Sequence, residues 1–131
     1  MRFVTAIGVL SILFACSQVS MPEAPEGRVL YVENCAQCHG PAGKGDGPWA
    51  TSLTPRPADL TNLSADRQFP RAHVLSVIDG YDRTGLPGKT MPEFGLLLEG
   101  DTVPLDVGDG VFTPTPRPLA ALMVYLESIQ N

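Results

Sequence analysis

Glycine and proline interrupt this chain so often that only short helices fit between them. There are 13 of each among 131 residues. They crowd Gly40–Pro48 and return at Gly85, Pro87, Gly88 and Pro92. Proline removes a backbone donor and clashes with the preceding turn, and glycine costs roughly 1 kcal/mol of helicity, so both stretches read as loop. Three windows escape. From about Glu26 the chain is apolar enough for a helix with Gly27 and Tyr31 on one face. Pro70 suits the first turn of a helix through Val74, Leu75 and Ile78, with Gly80 as its stop. A last helix starts around Pro116–Pro118, where Leu119, Leu122, Met123, Leu126 and Ile129 recur at three- and four-residue spacing. Pro57–Leu63 has room for one or two further turns. In Leu97–Thr115, Val103, Leu105 and Val107 alternate before Asp109-Gly110, which leaves room for a small hairpin at about 102–112. The expectation is an all-α chain of three to four short helices with long loops, forming one folded unit.

The first residues stand apart from that unit. Arg2 precedes an apolar run, Phe3–Phe14, of roughly a dozen residues, whereas a membrane-spanning helix needs about 20, so the run reads as an export signal. Leu13-Phe14-Ala15-Cys16 resembles the lipobox of bacterial lipoproteins, which implies cleavage before Cys16 and lipid on its thiol. Ser17–Pro25 is polar, holds two prolines and lacks periodicity, as a tether does. The organisation expected is a signal peptide over 1–15, a lipidated N-terminus and tether over 16–25, and a folded domain over 26–131. That places the domain on the periplasmic side of a bacterial membrane, held by its lipid. The net charge of −5 becomes more negative when Arg2 leaves with the signal. An acidic domain argues against nucleic acid as a partner and fits docking on a basic protein surface.

Chemistry concentrates in Cys35-Ala36-Gln37-Cys38-His39, the C-x-x-C-H pattern of c-type haem attachment. Two thiols on one turn can bond the two vinyl groups of one porphyrin, and the next residue places an imidazole over the iron. With Cys16 assigned to lipid, no cysteine is left for a structural disulfide. Zinc would need a fourth ligand and usually a second Cys or His pair, and only His73 remains. A redox disulfide would want a thioredoxin-like βαβ context that this sequence lacks.

From about Glu26 onward the chain resembles the class I mono-haem c-type cytochromes, on the motif Cys35–His39, the pair Gly27 and Tyr31, and the glycine-rich run Gly40–Pro48. The resemblance implies an N-terminal helix leading into the haem motif and a C-terminal helix crossing it, with Leu122 and Tyr125 or Leu126 against Gly27 and Tyr31. It implies one covalent haem c and a backbone carbonyl at Pro48 or a neighbour accepting the His39 ring N–H. Trp49 and Arg56 become donors to haem propionates. For the sixth ligand it implies Met91, in the loop Gly88–Pro92, over Met123 on the apolar stripe and His73 on the middle helix. His39 and Met91 as ligands leave no open coordination position, as outer-sphere electron transfer wants. The function expected is single-electron transfer between a redox-protein donor and acceptor. The alternative is a cytochrome subunit bound tightly in a periplasmic oxidoreductase, favoured by the acidic segment 97–115 with Glu99, Asp101, Asp106 and Asp109. A haem sensor or peroxidase would need an open distal site.

Overall fold

The computed structural model describes residues 20–64, 68–84, 91–108 and 110–131. The proposed signal, Cys16 and Asp109 lie outside the described residues. Helix α1 (Ala24–Asn34) carries Pro25 in its first turn, where a missing N–H is no loss, and Glu26 beside the positive helix end. It buries two residues, Gly27 and Tyr31. Both face α4 (Arg117–Ser128), which is buried along Leu119–Met123 and at Tyr125 and Leu126. A Cβ on Gly27 would stand 2.8 Å from the Tyr125 Cβ and run into the Ala121 carbonyl oxygen, so the two helix backbones touch here and only glycine fits. Tyr31 packs on Tyr125 with ring centroids 5.1 Å apart and planes tilted by 50°. Ala121 and Tyr125 are thus the partners of the glycine–tyrosine pair, while Leu122 fills the core beside them. Arg117 forks onto Glu26 at 3.0 and 2.9 Å and fixes the two helix starts together.

The Tyr31 hydroxyl donates to the Gly40 carbonyl at 2.6 Å, just past the second, four-residue helix α2 (Ala36–His39). The α1–α4 contact is therefore tied directly to the haem motif. Gly40, at φ 79°, ends α2 and sends the chain into a loop with short 3-10 turns at Ala50–Ser52 and Leu60–Asn62. Helix α3 (Arg71–Asp79) lays Val74, Leu75 and Ile78 into the core and stops at Gly80, at φ 102°.

The expected all-α class is overturned. Strands β1 (Thr102–Asp106) and β2 (Phe112–Pro116) pair antiparallel, Val103 opposite Thr115 and Leu105 opposite Thr113. Among the described residues the domain is a mixed one of four α-helices and a two-stranded sheet, and the sheet contributes to the core. Val103 and Leu105, 3 % and 4 % exposed, pack in one cluster with residues of α3 and α4. The cause is local. Pro104, Pro114 and Pro116 forbid helix, alternate apolar residues give β1 one inward face, and Gly108 and Gly110 take positive φ at the turn. The hairpin runs to Pro116, four residues beyond the expected limit, and leads straight into α4. Arg71 braces this corner, binding the Glu127 carboxylate at 2.8 Å and donating to the Asp106 carbonyl at 2.9 Å.

Candidate haem site

Cys35 donates its N–H to the Tyr31 carbonyl at 2.8 Å, closing α1, and its own carbonyl starts α2. That junction sets both motif cysteines and His39 on the wall of one cleft of about 330 Å³. The volume falls in the range of roughly 300–1,000 Å³ usual for cofactor sites. Leu53, Pro55, Pro57 and Phe94 make much of the remaining wall apolar. Burial, with Cys38 adjacent, pushes the Cys35 thiol up to about 11. Before haem is attached it is a neutral thiol at pH 7, unlike the low-pKa thiolate of a redox-active pair.

His39 is 9 % exposed, and burial lowers its pKa, opposed by a hydrogen bond at the ring. That bond joins Nδ1 to the carbonyl oxygen of Ala58 at 3.0 Å. A carbonyl can only accept, so Nδ1 carries the proton and Nε2 keeps its lone pair free for a metal. The acceptor is Ala58 and not Pro48. Gly47 and Trp49 spend their N–H groups on the Cys38 and Gln37 carbonyls, at 3.2 and 2.9 Å. The Gly47–Trp49 turn is therefore used to cap α2, and Pro48 is exposed and does not line the cleft. Sequence reasoning missed Ala58, because a backbone acceptor has no side-chain signature.

Met91 lines the same cleft as the motif. Its carbonyl accepts from Arg83, which also faces Glu93 at 3.7 Å. Just beyond, Phe94 and Gly95 donate to the Ile78 and Asp79 carbonyls at the end of α3, at 2.9 and 3.2 Å. The rivals stand elsewhere: Met123 is 1 % exposed inside the core and His73 is exposed on α3, neither lining the cleft. Trp49, 59 % exposed, and Arg56 lie at the cleft wall, open to solvent. Among the described residues, no three His, Cys, Asp or Glu side chains converge as a cage for a bare metal ion.

These residues fit a haem: two thiols a turn apart, an imidazole with the correct nitrogen free, a thioether, and an apolar crevice. Fold and site together define a c-type cytochrome domain. Residues 22–103 match the family described as cytochrome c oxidase, cbb3-type, subunit III, and the chain belongs to that family. It carries covalently bound haem c and has a haem electron-transfer role. A chain of the Kuenenia stuttgartiensis reducing HAO-like protein complex is similar in fold, with a TM-score of 0.56 at 23 % identity. The likeness covers 86 % of the present chain and 46 % of that one, so the present chain spans about half its length. No curated protein matches the sequence.

Proposed function

We propose that the chain is a mono-haem electron carrier on the periplasmic side of a bacterial membrane, in which Cys35 and Cys38 would hold the haem through thioethers and His39 and Met91 would ligate its iron. The observation that carries this reading is the single cleft lined by all four residues, with His73 and Met123 outside it. Haem so ligated supplies one-electron chemistry at a raised potential with no vacant position. The polypeptide does the rest. Cys35 and Cys38 fix the macrocycle, the Ala58 carbonyl orients the His39 ring, and Leu53, Pro55, Pro57 and Phe94 exclude water. Trp49 and Arg56 donate to propionates at the open side. No described helix is long and apolar enough to cross a membrane; attachment is through lipid on Cys16.

Acid–organic extraction of the holoprotein, followed by mass spectrometry, tests the site. Haem should stay on the wild-type chain and be lost from a Cys35→Ser/Cys38→Ser double variant; ready extraction from the wild type would overturn the assignment. The same spectra should show a mature N-terminus at a lipidated Cys16, and an unmodified chain starting elsewhere would remove the anchor.

A second reading, a cytochrome subunit held within an oxidoreductase complex, is favoured by the family description and by the complex that contains the fold relative. Leu96 and Phe112, 88 % and 64 % exposed, would suit such a contact. A redox enzyme that co-purifies stoichiometrically from native membranes would select this reading over the free carrier.

A further inference from the structure

Ala58 orients His39, yet its own side chain is a single exposed methyl that anchors nothing. Its carbonyl is held in place by the turn that begins at Asp59. Asp59 accepts from the Thr61 hydroxyl at 2.6 Å and the Thr61 amide at 2.9 Å, closing that turn tightly after Ala58. The buried Thr61 hydroxyl also accepts from Lys44 at 2.6 Å and from the Asn131 amide at 3.0 Å, using its one proton and both lone pairs. Leu60 donates to the Gly43 carbonyl at 2.7 Å, which lays the turn against the loop leaving α2.

The outer brace comes from one side chain beyond α4. Gln130 donates Nε2 to the Leu60 carbonyl at 2.7 Å and to the Leu126 carbonyl at 2.8 Å. Its Oε1 accepts from the Leu63 and Ser64 amides at 2.9 and 3.1 Å, and from the Ser64 hydroxyl at 3.3 Å. A single glutamine thus uses both donors and its acceptor to bolt the 60–64 backbone onto the end of α4, where Leu126 would otherwise leave an orphan carbonyl. Helix α4 is packed rigidly on α1, and α1 runs into the haem motif. His39 and its acceptor are therefore referenced to the same two helices, one from each side.

We propose that Gln130 and Thr61 are positioning residues for His39, holding the Ala58 carbonyl on Nδ1 and so setting the basicity of the imidazole and, with it, the potential of a haem that His39 would ligate. The inference rests on the reading of His39 as the iron ligand. A fixed Nδ1–H···O=C bond gives the ring anionic character and favours ferric iron. Loosening the 58–64 segment weakens that bond and raises the potential.

The test uses the holoprotein, comparing wild type with Gln130→Ala, Gln130→Glu and Thr61→Val, and with Val103→Ala as a core-destabilised control remote from the segment. Two quantities are read: the midpoint potential, and the exchange rate of the His39 Nδ1 proton by NMR in the reduced state. The Gln130 and Thr61 variants should show a raised potential and about tenfold faster exchange, the factor that corresponds to losing most of one hydrogen bond. Val103→Ala should lose stability and move neither quantity. If Gln130→Ala fails to fold, Thr61→Val and the near-isosteric Gln130→Glu carry the comparison. Gln130 and Thr61 variants that lose stability but keep the wild-type potential and exchange rate would overturn the proposal. A wild type whose His39 ring protons show no haem-induced shift would overturn the ligand reading itself, and this inference with it, and is distinguishable because it appears before any substitution.

Discussion

Met91 owes its place in the cleft wall to main-chain bonds. Arg83 holds its carbonyl, and the two amides of Phe94 and Gly95 latch the following segment to the end of α3. Removing the side chain should leave that scaffold standing and alter only the iron's surroundings. Met91→Ala should lower the potential, abolish the ferric sulfur-to-iron charge-transfer band and let the reduced protein bind carbon monoxide. Retention of the band in Met91→Ala would return the ligand role to another residue. A second residue-level expectation concerns acid. Hydrogen bonds from the Thr61 hydroxyl and amide, with Lys44 nearby, hold the Asp59 carboxyl below the usual carboxylate range. Its folded-state pKa is depressed, so its contribution to stability is complete above the unfolded value of about 3.9 and disappears as pH falls through the folded value. Urea midpoints measured from pH 5 downward should fall less steeply for Asp59→Asn than for wild type over that window. The contrast between these residues shows what a sequence can reveal of a site. Cys35, Cys38 and His39 announce themselves by side-chain chemistry and spacing, and the family resemblance points to Met91, which the structure sets in the same cleft wall. Ala58 and Gln130 do not. One acts through its backbone, and the other through five bonds to backbone and hydroxyl groups that only the folded chain brings together.

Among the elements, α1 and α4 have the tightest contact, and it depends on the absence of a side chain. Alanine at Gly27 would gain up to about 1 kcal/mol of helix propensity. Its Cβ, however, would run into a backbone oxygen that cannot rotate away. Overpacking of this kind costs roughly 1–3 kcal/mol, so the clash wins. Gly27→Ala should lower Tm by about 5 °C or more, while Val29→Ala, on the exposed face of the same helix, should change it little. A Gly27→Ala protein as stable as wild type would mean that the helices pack elsewhere. This pair was legible because its spacing places both residues on one helical face. The starts of α3 and α4 were legible for a related reason: Pro70 and Pro116 stand immediately before the first helical residue, where proline's fixed φ and missing N–H are tolerated. The sheet was less legible. Alternating Val103 and Leu105 revealed a strand, but strand pairing also needed Thr113 and Thr115 across the turn, where prolines weaken the periodic signal. Its share in the core depends on α3 and α4 arriving from distant parts of the chain.

At the scale of the molecule, charge governs how a carrier meets its partners. The chain has a net charge of −5, and Glu99 and Asp101 stand exposed at the approach to β1. Asp106 is different, since its carboxylate accepts the Gly108 amide at 2.9 Å and helps to form the hairpin turn. Removing its charge would disturb structure as well as field, so the docking test is confined to Glu99→Gln/Asp101→Asn. Electron transfer to a basic redox protein should slow as salt rises, because screening cuts charge steering beyond about 10 Å at 0.1 M ionic strength. The double variant should react more slowly at low salt, show a shallower salt dependence, and keep the wild-type spectrum and potential. Stopped-flow rates at three or four ionic strengths would separate the outcomes. A slower rate that converges on wild type at high salt identifies the approach to β1 as part of the docking face. Rates that coincide at every salt concentration would move the docking face to surface that does not depend on these charges. The exposed apolar groups at Leu96, Leu97 and Phe112 are then the natural contact, and partner binding should strengthen rather than weaken with salts that favour apolar burial.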